Sequence, residues 1–121
     1  MIDGTLLFAG TTVYSPWFPR QADMLRVTAE CIARSNASVR IDLYTKNQEE
    51  PGDGDPVYSS TYIELGDDIR PTVEWKTEST GDGVEQLLRF KYTVTSESSN
   101  DWILFRLLPA VWFDAVNATL P

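Results

Sequence analysis

Apolar and polar residues alternate along much of this chain, and the alternation is clearest in residues 23–46. Leu25, Val27, Ala29, Cys31 and Ala33 are apolar there, while Arg26, Thr28, Glu30 and Arg34 between them are polar. Ile32 alone breaks the pattern. Beyond Ser35, Asn36, Ala37 and Ser38, the residues Val39, Ile41 and Leu43 fall on one face and Arg40, Asp42 and Lys46 on the other. A period of two predicts strands. A helical reading of the first run competes, with Asp23 as cap and Met24, Leu25, Thr28, Cys31 and Ile32 on one face. The second run reads as a strand in need of a neighbour, which favours a β-hairpin. Its inward residues are odd-numbered on both arms, so facing residues sum to an even number and a two-residue turn is excluded. A longer loop or a bulge is expected, with Asn36 in the left-handed conformation. This hairpin is expected to form one wall of a sandwich, the second half of the chain supplying the other.

A second hairpin is predicted downstream. Ile69, Val73 and Trp75 share one face of its first strand, and Leu88, Phe90, Tyr92 and Val94 one face of its second. Odd inward residues now meet even ones, as a turn of two or four residues requires, and Gly81, Asp82 and Gly83 suit such a turn. Glu74 would then face Arg89 or Lys91 as a cross-strand charge pair. Elsewhere, residues 4–14 suit one or two short strands around Gly10, residues 57–65 a peripheral strand, and residues 111–116 a last short strand. Residues 102–108 are apolar on both faces, as in a strand covered on each side or one whose outer face meets another subunit.

Seven to nine strands at spacings of about 8 to 12 residues, with little or no helix, predict an all-β fold: a single antiparallel β-sandwich or jelly-roll-like domain over residues 1–121, a closed barrel being the other option. A length of 121 residues fits one domain with one core.

Composition narrows the chemistry. The net charge of −8 argues against nucleic acid, whose phosphates call for a basic stripe, and against anionic membrane surfaces. Without histidine, the usual zinc sites and serine or cysteine triads lose a common member. The one cysteine, Cys31, lies on the inward face and reads as a small hydrophobe. Glu49, Glu50, Asp53 and Asp55 invite a calcium reading, but their spacing lacks the EF-hand order. The glycines sit in acidic contexts rather than in a phosphate-cradling loop, and the carboxylates fall in loops or on outer faces rather than as an inward pair. No enzyme activity, cofactor or metal is therefore expected. No basic start with a long apolar run follows Met1, and residues 102–116 are interrupted by Arg106, Pro109 and Asp114. A soluble product made in the cytoplasm without a secretory signal is expected, one open to incorporation into a particle. On the same ground, the acceptor patterns at Asn36 and Asn117 read as chance matches.

Two non-catalytic roles remain. Pro16 and Pro19 bracket Trp17 and Phe18, which either display themselves as a contact anchor or fold back as a lid on one end of the core. With Tyr44, Tyr58, Tyr62, Trp112 and Phe113 they form the candidate protein-interface set, an apolar excess beyond what one small core requires. The first expectation is thus a structural subunit or accessory of a larger assembly, homo- or hetero-oligomeric, such as a virion shell or surface appendage. The alternative is a carbohydrate-binding module whose exposed tryptophans stack on sugar rings.

Overall fold

A computed structural model describes residues 4–49, 51–57, 61–77 and 87–114. Among them are eleven strands and no helix: β1 Thr5–Phe8, β2 Thr12–Tyr14, β3 Phe18–Pro19, β4 Met24–Arg34, β5 Ser38–Lys46, β6 Asp55–Pro56, β7 Ile63–Leu65, β8 Thr72–Lys76, β9 Leu87–Thr95, β10 Trp102–Leu107 and β11 Val111–Phe113. They form two antiparallel sheets packed face to face, the predicted β-sandwich. The first run of residues 23–46 is a strand throughout, not a helix.

Each sheet is built on long strands flanked by broken ones. In the first sheet β4 is central, with β8 on one side and β10 then β11 in succession on the other, while β1 closes the edge beside β10. In the second, β5 and β9 pair over nine residues from Ser38↔Thr95 to Lys46↔Leu87. Strands β2 and β3 succeed one another along the free side of β9, and β6 and β7 share the free side of β5.

Both predicted hairpins are corrected by this pairing. β4 and β5 lie in opposite sheets, joined by Ser35, Asn36 and Ala37. The two runs therefore contribute to both walls rather than forming one. Two strands that both present odd residues inward need not be neighbours, because strands on opposite walls also point their inner faces at each other. Ala37 is fully buried within the link, whose backbone needs no left-handed residue, so Asn36 does not take that conformation. The link is held from outside: Ser35 Oγ accepts from the Trp102 N–H at 2.9 Å and donates to Asp101 at 3.0 Å.

Likewise β8 pairs with β4 and β9 with β5. Glu74 meets Arg26 at 2.7 Å, not Arg89 or Lys91. Ile69, expected inward, lies outside β8 and is 62% exposed. The expected turn at Gly81 to Gly83 falls outside the described residues.

The core lies between the sheets. Val39, Ile41, Leu43, Leu88, Phe90, Tyr92 and Val94 come from the second sheet, and Leu25, Val27, Ala29, Trp75, Ile103, Phe105 and Leu107 from the first. Cys31 is packed against its margin, and burial pushes its thiol pKa up. Trp75 is the largest side chain fully out of solvent, and its indole N–H donates to the Thr61 carbonyl at 2.9 Å. Trp75→Ala removes that volume and leaves the carbonyl unpaired, so urea denaturation is expected to show a loss of about 3 to 5 kcal/mol with the slope preserved.

Candidate functional site

Alternation inside a sandwich leaves every second residue of each sheet facing outward, and the two outer faces differ in chemistry. On the second sheet, Tyr14, Tyr44, Arg89 and Lys91 lie side by side, because β9 carries Arg89 and Lys91 between Tyr44 of β5 and Tyr14 of β2. The Arg89 guanidinium stands 3.9 Å from the Tyr14 ring centre and 4.3 Å from that of Trp17, and its Nη2 reaches the Asp53 carboxylate at 3.0 Å. Lys46 covers Trp17 at 4.8 Å, and Lys91 donates to the Tyr44 hydroxyl, a contact that raises the Lys91 pKa. Arg40 lies 3.8 Å over Tyr62. Cations and rings thus satisfy one another on this face, each contact contributing about 0.5 to 2 kcal/mol.

The candidate interface residues are accordingly dispersed. Trp17, Tyr44 and Tyr62 are half-buried in these cation contacts. Phe18 turns the other way and packs on Phe90 at 5.3 Å and Trp112 at 6.3 Å, closing one end of the core. Phe113 lies beneath the Arg26 guanidinium at 5.2 Å. Tyr58 lies outside the described residues. Of the acidic group considered for calcium, Asp53 is engaged by Arg89, Glu50 lies outside the described residues, and no cluster of three or more potential ligands occurs among those described.

The outer face of the first sheet is divided. One half is ion-paired: Glu30 accepts from Arg106 at 2.8 Å and from Arg70, Arg26 meets Glu74, and the Thr28 and Thr72 hydroxyls share a hydrogen bond of 2.7 Å. Hydrogen bonds from Arg70 and Arg106 hold the Glu30 carboxyl below its ordinary pKa. The other half is apolar. Leu6 and Phe8 of β1 stand opposite Leu104 and Trp102 of β10, and Ile32 of β4 adjoins Leu104 where a bulge interrupts the β4–β10 register. Leu6, Phe8 and Ile32 are 51%, 50% and 48% exposed, and Leu104 and Trp102 are half-buried between them. Gly4 lies over the same patch, since a Cβ there would meet Leu104 Cδ1 at 3.0 Å and Ile32 Cδ1 at 3.3 Å. Sequence reasoning reached half of this surface through the doubly apolar residues 102–108. It missed Leu6, Phe8 and Ile32, although Ile32 announced itself by breaking the alternation.

No known protein family, characterised protein or solved structure matches the chain. No helix among the described residues is long and apolar enough to cross a membrane.

Two outcomes test this geometry. Gly54 has φ +79°, and a Cβ there would lie 2.6 Å from the Thr45 carbonyl oxygen and 2.9 Å from Trp17 Cη2. Gly54→Ala should therefore destabilise by more than about 1 kcal/mol and shift Trp17 fluorescence. For Glu30, a folded pKa below the unfolded one adds stability above the unfolded value, and that stability is lost as pH falls through the folded value. The urea midpoint should fall on acidification below about pH 4, and Glu30→Gln should flatten that part of the profile.

Proposed function

We propose that the protein is a non-catalytic assembly subunit that associates with further copies of itself through the apolar half of the first sheet's outer face. The observation that carries this reading is the contrast within one face. Where Glu30, Arg26, Arg70, Arg106 and Glu74 meet water they are paired, whereas about half of the surface of Leu6, Phe8 and Ile32 is left open to water by the described residues. A contiguous apolar patch rimmed by polar groups is the usual composition of a contact surface.

Charge favours a second copy as the occupant. At −8, two copies repel wherever their excess carboxylates approach, and least across a patch made only of uncharged side chains. Two such sheet faces can stack at about 10 Å with side chains interleaved. Sugar stacking needs a bare aromatic ring, and none of the four tryptophans is among the exposed residues. Building such a particle, or decorating one, asks nothing of catalytic chemistry.

Light scattering across a concentration series, with negative-stain microscopy of the same samples, tests the reading. The wild type should exceed the 13.6 kDa monomer mass, and Leu6→Asp or Phe8→Asp should return it to that mass with the fold intact. A wild type that remains strictly monomeric at high concentration and forms no particle would sink the proposal.

A further inference from the structure

A second feature, away from that face, concerns the side of the sandwich. The flanking strands of the two sheets are both interrupted there by prolines, which cannot donate to a ladder. Pro16 lies in the break between β2 and β3, and Pro109 in the break between β10 and β11. Both breaks border one cavity of about 410 Å³ that runs into the core. Pro16 and Trp17 form one lip and Leu108 and Ala110 the other, while Val27, Phe90, Tyr92 and Leu107 line the interior. This volume lies within the roughly 300 to 1,000 Å³ range of small-molecule sites.

The walls state what such a ligand must be. Among the described residues that line the cavity none carries a charge, so an ion would leave water without a partner and is disfavoured. One polar group stands out. Tyr92 is 3% exposed, and its hydroxyl is buried with no hydrogen-bond partner among the described residues. Burial pushes its pKa up to about 12, so it is a neutral donor at any physiological pH. An unpaired hydroxyl of this kind is costly, and an acceptor brought beside it recovers that cost.

We infer that this cavity binds a small, uncharged, largely apolar molecule bearing one oxygen acceptor, with aromatic contacts from Trp17 and Phe90 and a hydrogen bond from Tyr92. The Tyr92 oxygen is covered in the free protein, so this bond requires the ring to shift against Phe90 and Phe105 as the site fills. The inference is independent of the association face, because neither Leu6, Phe8 nor Ile32 borders the cavity.

The neutral naphthyl ketone dye prodan is a suitable probe, being apolar with a single carbonyl. Titrated into the full chain, it should bind saturably at one site with a blue shift in emission. Ala110→Trp blocks the mouth at an exposed position, and Leu107→Trp fills the interior; either should abolish the blue-shifted signal. Tyr92→Phe should weaken binding about three- to tenfold, the equivalent of one net hydrogen bond. Phe8→Asp should leave binding unchanged, which separates this site from the association face. Absence of saturable binding, or binding that survives Ala110→Trp in a folded protein, overturns the site. Equal affinity in Tyr92→Phe overturns the assigned hydrogen bond.

Discussion

The pairing of β5 with β9 is the constraint on which the rest of the sandwich depends. Nine consecutive residue pairs fix a single register, and a slip of one would turn the inward face of one strand outward relative to its partner. That register sends Val39, Ile41 and Leu43 inward beside Val94, Tyr92 and Phe90, and the same register sets Tyr44 beside Arg89 outside. Core and outer face are thus two readings of one ladder. The flanking strands need only complete hydrogen bonds that this pair leaves open, which is why fragments as short as Phe18–Pro19 and Asp55–Pro56 suffice.

The two outer faces resolve exposure by opposite means. On the second sheet, large rings are partly covered by cations, as where Arg89 lies against Tyr14 and Trp17 and reaches Asp53, its Nε alone staying buried without a hydrogen-bond partner among the described residues. On the first sheet the corresponding arrangement stops halfway: Glu30 gathers Arg70 and Arg106, and beyond the bulge at Ile32 the outward residues Leu104 and Trp102 of β10 and Leu6 and Phe8 of β1 are apolar. The difference in satisfaction, rather than in hydrophobic content, distinguishes a surface finished within the chain from the one we propose as a contact face.

Much of this was legible in the sequence, and the limit of legibility is physical. Alternation identified the strands at Leu25, Val39, Val73 and Leu88 because each has one face buried and one not, and it correctly named Val27, Ile41, Trp75 and Phe90 as inward, whereas the strand at Ile103 was read from a run apolar on both faces. It could not name partners. A parity argument treats Val39 and Ala29 alike whether they sit beside each other or across the core, so both hairpins inferred from it joined strands that belong to different sheets. The candidate contact residues were chosen as aromatics, yet Trp17 and Tyr62 carry cations on their rings, contacts made by Lys46 and Arg40 that single-residue reasoning does not see. Ile32 was visible as an anomaly whose meaning required the bulge opposite Leu104.

The links that cross from one sheet to the other have a further consequence, in time rather than in space. β1 and β2, β4 and β5, and β9 and β10 each follow one another in the chain without pairing, so few contacts reward the closure of a short loop. Beside the central ladder the Thr45 hydroxyl donates to the Leu87 carbonyl across 42 residues, and the first sheet joins Glu30 to Arg106 across 76. Loop-closure entropy is spent before these contacts form, and domains of such high contact order fold in milliseconds to seconds rather than microseconds. During that interval β5 and β9 are apolar strands with unpaired edges. The charge of −8 then acts on the unfolded chain as well, keeping copies apart while the distant halves of each find one another.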